Sequence, residues 1–180
     1  VSADSGRPDS MEPTPGNFTD IRHWLLWFND YFKGIRDRDT ANGFNRVVMF
    51  NSDSFTNQLE GAGTAPGNPF SEAMTLENYK AVFQHPDGAG SGSIYTDGSG
   101  EVYKPLEAIF EANPDMLFIV VTTPPLPAGQ TSDAEADLAR EWANWLVDTW
   151  QPAYEARNPN LNNVVVFDWF DFLARPTSAG

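Results

Sequence analysis

The side chains best suited to chemistry stand together directly after a short apolar run. Val47–Phe50 is followed by Asn51-Ser52-Asp53-Ser54, which offers an amide, two hydroxyls and a carboxylate within four residues. If the run is a parallel strand, these groups lie at its carboxyl end, where open α/β sheets bind ligands. The Gly- and Pro-containing stretch 55–74 that follows is long for a connection, and such loops are often functional. The alternative for each residue is a strand-end cap or a turn.

A histidine is needed if Ser52 or Ser54 is to act as a nucleophile. His85 precedes Pro86-Asp87-Gly88, and a triad of Ser52 or Ser54, His85 and an aspartate is one hypothesis. The spacing does not select it, and a turn residue is the simpler interpretation of His85. The other histidine, His23, lies on an aromatic helix and is interpreted as structural.

Further polar groups follow two other apolar runs. Thr122 and Thr123 follow one of them, and Asp168 and Asp171 follow the other. Thr122 and Thr123 join Asp53 as candidate substrate-binding residues, and strand-end capping is the alternative. Among the tryptophans, Trp27 is off the main apolar stripe of its helix and is the candidate for stacking on a sugar ring. The other tryptophans fall on faces that must pack against a sheet.

The acidic turn Asp97-Gly98-Ser99-Gly100-Glu101 permits two interpretations, a β-hairpin turn and part of a calcium loop. The EF-hand pattern needs acids at alternate positions and a glutamate at position twelve, and these are missing, so a hairpin is favoured. Two isolated histidines do not form a metal cluster, and no phosphate-binding loop is present. We therefore predict neither a metal site nor a cofactor.

Alternating strand and helix patterns predict the fold. Strands are expected over 46–51, 117–123 and 163–168, and helices from Thr19 to about residue 35, after Thr75, after Pro105 and after the capping box Ser132–Glu135. Such alternation predicts an α/β fold with three layers and a mostly parallel sheet, with a β-hairpin inserted. We expect one domain over 1–180, with coil at 1–18 and loop or hairpin insertions at 55–74 and 84–104. The domain is either complete or the central part of a longer one.

Composition narrows the classes of protein. The chain has 180 residues, no cysteine and a formal net charge of −14. Disulfides and thiolate chemistry are excluded, and nucleic acid is not an expected partner because its binders carry basic patches. No apolar stretch is long enough to predict a membrane span. The simpler interpretation of this negative charge is an acidic surface exposed to solvent. The more specific interpretation is an extracellular or cell-surface location.

With these strands placed, the chain resembles the SGNH (GDSL-type) hydrolases. The likeness rests on Val47–Phe50 ending in Asn51, on the segment 117–125, and on Asn144-Trp145-Leu146 followed by 163–171. The resemblance implies a flavodoxin-like parallel sheet and hydrolysis of ester or acyl bonds. It also implies that Asn51 donates to the oxyanion, although Met49 and Ser52 stand where that family has glycine and aspartate.

The two catalytic blocks of that family are not recognised in this chain. Asp4-Ser5-Gly6 has no strand before it, and no Asp-x-x-His occurs. The resemblance therefore implies a nucleophile and a base outside this chain, with a small-molecule or carbohydrate ester as substrate. The alternative is a non-catalytic extracellular protein that forms a surface layer or filament, or binds glycans. Its expected partner is another copy of the same chain.

Overall fold

The computed structural model describes residues 21–32, 46–51, 55–71, 73–85, 94–127 and 129–174. Three strands in these ranges form a parallel sheet in the order β1 (Val47–Phe50), β4 (Leu117–Val121), β5 (Val164–Phe167). Val48 pairs with Phe118, and Phe118 pairs with Val164, which sets the register of the three strands. The chain is therefore mixed α/β with a parallel sheet, and the three predicted strands are confirmed.

Helices connect these strands. They are α1 (Ile21–Leu26), which continues as a wide π turn (Trp27–Tyr31), α2 (Leu76–Phe83), α3 (Leu106–Glu111), α4 (Asp133–Asn144), a second π turn (Trp145–Trp150), α5 (Gln151–Arg157) and α6 (Trp169–Ala174). The predicted caps are present: the Thr75 hydroxyl accepts from the Asn78 amide, and Ser132 and Glu135 form a capping box. Thr19 lies outside the described residues.

The second π turn accommodates a proline inside a long helical stretch. Pro152 has no N–H to donate and its ring crowds the preceding turn, which normally kinks or ends an α-helix. Widening the turn lets the Gln151 amide bond to the carbonyl of Leu146, five residues back. The helical path thus continues from Asp133 to Arg157.

One face of the sheet carries the aromatic core. Alternate side chains of the strands, among them Phe50, Phe118 and Val164, pack against the helices. The rings of Phe110 and Phe118 stack with centroids 4.2 Å apart, and Trp150 is fully buried beside Phe83. Burial of this apolar surface is the main stabilising term in the fold.

The opposite side of the sheet, which we call the open face, is formed by Val47, Met49, Val165 and Phe167. Each is exposed, Met49 by 67% and Phe167 by 51%. The strand order runs in one direction, and right-handed crossovers then place both connections on the same side. In the part of the chain that the structure describes, the helices of the core therefore pack on one side of the sheet, and the predicted third layer stays a prediction.

The predicted hairpin is confirmed. β2 (Tyr95–Thr96) pairs antiparallel with β3 (Val102–Tyr103) around the glycine-containing turn. The Asp97 carboxylate accepts from the amides of Ser99 and Glu101 and from the Ser99 hydroxyl, which lowers its pKa. This side chain therefore organises the turn.

The long loop before α2 is ordered by that helix. The amides of Leu76 and Glu77 donate to the carbonyls of Gly61 and Ala62, and Gly67 lies so close that a Cβ would be 1.9 Å from the Glu77 oxygen. The first amides of α2 are thus used within the chain. None of the described helices is both long and apolar enough to cross a membrane.

Candidate functional site

The carboxyl ends of the three strands define the candidate site. Asn51 follows β1 and is exposed, Thr122 and Thr123 follow β4, and Asp168 follows β5. Because Phe50 pairs with Val120 and Val121 with Phe167, these residues leave the same edge of the sheet. The sequence prediction that they share an edge is confirmed by this register.

Thr122 has a structural role at this edge. It has no exposed surface; its hydroxyl accepts from the Phe170 amide at 2.8 Å and donates to the Asp168 carboxylate at 3.1 Å. The same carboxylate accepts from the Asp171 amide at 3.1 Å and so caps α6. Thr123 is 2% exposed. The geometry favours the strand-end role for Thr122, since its hydroxyl is engaged away from solvent.

A junction of three segments lies beside β1 and β4. Asn57, in the 3-10 turn Phe55–Gln58, is 1% exposed, and its Nδ2 donates to the carbonyl of Pro124 at 2.8 Å. The Thr131 hydroxyl donates to the carbonyl of Asn57 at 3.3 Å. This junction joins the segment after β1, the proline loop after β4 and the start of α4.

The start of α4 completes that junction. The Glu135 carboxylate accepts from the amide and the hydroxyl of Ser132, at 2.7 and 2.8 Å, and these bonds lower the pKa of Glu135. An ionised carboxylate in the first helical turn also interacts favourably with the helix dipole. Glu135 is therefore engaged in capping the helix.

Ser52, Asp53 and Ser54 lie outside the described residues, between Asn51 and Phe55. His85 follows α2, and its ring packs on Tyr95 with centroids 4.6 Å apart. The Tyr95 hydroxyl donates to the carbonyl of Ala81, which ties the hairpin to α2. The ring of His85 thus contacts the hairpin.

Trp27 is half-buried rather than projecting. Its ring packs edge-on against Phe28 at 4.9 Å and against Phe32 at 6.0 Å, and it borders the core. These contacts account for its burial through packing, which is the role expected for the other tryptophans.

Sequence reasoning missed Asn57 and Thr131. Their partners are 67 and 74 residues away along the chain, so no local pattern indicates the junction. The available signal is weak: an Asn three residues after Ser54, and a Thr directly before the capping box. Within the described ranges, no three His, Asp or Glu side chains converge as a metal site would require.

Comparison with known proteins adds no assignment. No protein-family model matches the chain, no curated protein matches it, and no solved structure matches its fold.

Proposed function

We propose that this chain is a hydrolase domain of the SGNH type, acting on ester bonds, with its chemistry at the carboxyl edge of the sheet. The observation that carries the proposal is the position of Asn51. β1 is parallel to β4 and ends at Asn51, at the edge of the sheet where such folds bind ligands, and Ser52-Asp53-Ser54 follows in the sequence.

The strand order supports the same proposal. Flavodoxin-like sheets have the order 2-1-3-4-5, which contains runs of three neighbouring parallel strands in ascending order. The order β1-β4-β5 fits such a run. In the SGNH family the nucleophilic serine follows the first strand within a Gly-Asp-Ser block, and β1 is the first strand of the described chain.

If β1 corresponds to that strand, Ser54 is the proposed nucleophile. Asp53-Ser54 matches the last two residues of the Gly-Asp-Ser block, and Ser52 stands where the block has glycine. Ser54 is one of the two serines that the sequence offers as nucleophile, whereas the resemblance by itself implies a nucleophile outside this chain and gives Asn51 the oxyanion. A serine hydroxyl needs a base to take its proton. The Asp-x-x-His block that supplies the base in that family does not occur in this chain, so we propose a base from outside it.

A fluorophosphonate probe tests this directly on the native polypeptide. An activated serine attacks phosphorus and expels fluoride, so we expect a covalent adduct on Ser54, found by peptide mass spectrometry. Hydrolysis of p-nitrophenyl acetate should be lost in Ser54→Ala and kept in the neighbouring control Ser52→Ala. Native polypeptide that is neither labelled nor faster than buffer would reject the proposal. Loss of hydrolysis in His85→Ala would instead make His85 the base.

A second candidate function is favoured by the open face. Parallel sheets are normally covered on both sides, and exposed apolar patches commonly mark interaction surfaces. Met49 and Phe167 are more than half exposed. These observations support self-association, and our second proposal is therefore a non-catalytic extracellular protein that associates through the open face.

Sedimentation velocity separates this second candidate from a monomer. Association through the open face should weaken in Met49→Lys and persist in Val102→Lys, a control on the hairpin that is also more than half exposed. It should also strengthen with added salt, because salt screens repulsion between two chains of charge −14. A monomer at every concentration would exclude self-association.

A further inference from the structure

β5 is an outer strand of the sheet: among the described strands it pairs with β4 alone. The amides of Phe118 and Thr122 donate to the carbonyls of Asn163 and Phe167, at 2.8 and 3.0 Å. Backbone groups of successive residues in a strand point to opposite sides, so the amide of Val166 points away from β4. Amides on this side of an outer strand are the groups that an added strand would bond.

The outward amide of Val166 is occupied by a side chain from α5. It donates to Oε1 of Gln151 at 2.9 Å, and Nε2 of the same glutamine donates to the Glu155 carboxylate at 2.7 Å. A carboxylate only accepts and a backbone N–H only donates, so the two partners admit one orientation of the glutamine amide. Gln151 therefore covers a position that an added strand would have to bond.

The backbone of Gln151 is held in place. Its amide donates to the carbonyl of Leu146 in the wide turn that accommodates Pro152. Trp150, directly before it, and Tyr154, almost one turn after it, are both fully buried. The glutamine side chain therefore extends to the strand from a fixed position on the helix.

A closed β5 edge limits how copies of the chain can assemble. Two different surfaces that pair head to tail can build open-ended filaments, whereas a surface that pairs with itself closes at two copies. Filaments grown by strand addition in this sheet would use both of its outer strands, β1 and β5. Closure of β5 blocks the head-to-tail route.

We propose that Gln151 closes the outer edge of β5 to strand addition from a second copy of this chain, through its bond to the Val166 amide. The negative charge of Glu155 adds to the closure, because it repels the carbonyl groups of an approaching strand. This role is independent of ester hydrolysis. It rests on the second proposal only for the route that remains, which is association through the open face.

The test compares Gln151→Leu with two controls. Gln151→Leu removes the acceptor of the Val166 amide, Gln151→Glu keeps an acceptor, and Gln130→Leu makes the same substitution at an exposed glutamine outside the sheet. We expect Gln151→Leu to form larger species than wild type in sedimentation velocity and to raise thioflavin T fluorescence. Both controls should behave as wild type. Wild-type behaviour of Gln151→Leu, or equal assembly of either control, would overturn the closure.

Hydrogen exchange resolved by NMR decides the matter even if Gln151→Leu is less stable. The Val166 amide should exchange about ten-fold faster in this variant, because it loses its acceptor. The amides of Val165 and Phe167, which point towards β4, should keep their wild-type rates. An unchanged rate at Val166 would overturn the role of Gln151. So would equal acceleration at all three amides, which would show loosening of the whole strand.

Met49→Lys separates failure of edge closure from failure of the second proposal. The larger species of Gln151→Leu should persist when Met49→Lys is added, since strand addition does not use the open face. Their disappearance in the double variant would place the contact on the open face and overturn edge closure. Monomeric wild-type protein together with assembling Gln151→Leu would reject the second proposal and support edge closure.

Discussion

The guanidinium of Arg157 lies 2.6 Å from the carboxylate of Glu107, a side chain with no exposed surface. The pair joins α3, which precedes β4, to α5, which precedes β5. Removing one partner of a buried pair leaves a charge in a low-dielectric environment, which is far costlier than losing a surface pair. The pair therefore helps to fix the two crossovers against each other.

Replacing Arg157 by Ala should destabilise the fold. We expect the free energy of unfolding to fall by about 3 kcal/mol, because the Glu107 carboxylate stays buried without its cation. Urea denaturation followed by circular dichroism measures this. The control is Arg46→Ala, whose bridge to Asp115 at 2.7 Å joins two side chains that are both more than half exposed. Similar losses in the two variants would contradict the prediction.

The buried hydroxyl of Tyr154 should make the fold less stable at alkaline pH. Burial raises the pKa of its hydroxyl from 10.0 to about 12, while the hydroxyl donates to the Asn163 side chain at 3.0 Å. A raised pKa stabilises the protonated folded form; this stability is complete below pH 10.0 and is lost as the pH rises towards about 12. The loss should be on the order of 3 kcal/mol.

Unfolding free energies measured in urea on both sides of this pH window test the Tyr154 prediction. Tyr154→Phe should lower stability at neutral pH, by about 1 kcal/mol for the lost hydrogen bond, and should show a smaller alkaline decline than wild type. Parallel curves for the two proteins would show that another group causes the decline.

Much of the fold could be predicted because its signals are local. The runs Val47–Phe50, Leu117–Val121 and Val164–Phe167 are apolar and rich in β-branched and aromatic residues, and a polar residue follows each of them. The cap at Thr75 and the box at Ser132–Glu135 involve contacts three residues apart. Such contacts are readable from spacing alone.

The exposure of the open face could not be predicted from the sequence, for a physical reason. A strand that is apolar on both faces indicates that both faces avoid water, but it does not say what covers them. The direction of the strand order decides the side of each crossover. That order depends on pairing between Val48 and Phe118, 70 positions apart, which no periodicity encodes.

The candidate site also combines features that the sequence predicts with features that it does not. The shared edge of Asn51, Thr122 and Asp168 follows from parallel strands, and the sequence predicts it. The junction of Asn57 with Pro124 and Thr131 depends on loops meeting across the sheet edge. Side-chain hydrogen bonds of this kind cannot be predicted from the sequence before the positions of the strands are known.

Gly67 should tolerate no side chain. A Cβ there would lie 1.9 Å from the Glu77 carbonyl oxygen, which belongs to the backbone of α2 and cannot move aside easily. Gly67→Ala should therefore cost about 1–3 kcal/mol, as overpacking does. Thermal denaturation measures the effect against Gly98→Ala, where a Cβ meets nothing within 4 Å and the change should be within about 0.5 kcal/mol. A stable Gly67→Ala would mean that the loop can move away from the helix.

Thr122 should matter through its hydroxyl rather than its methyl group. Thr122→Val keeps the shape but leaves the buried Phe170 amide without its acceptor at 2.8 Å, which should cost about 2 kcal/mol. Thr122→Ser keeps the acceptor and loses one methyl group, at a cost of about 1 kcal/mol. Chemical denaturation gives both values, and hydrogen exchange at 170–174 should accelerate in Thr122→Val alone. If Thr122→Ser were the less stable variant, packing would be the larger contribution, and the bond from β4 to α6 would not be what holds α6 at the sheet edge.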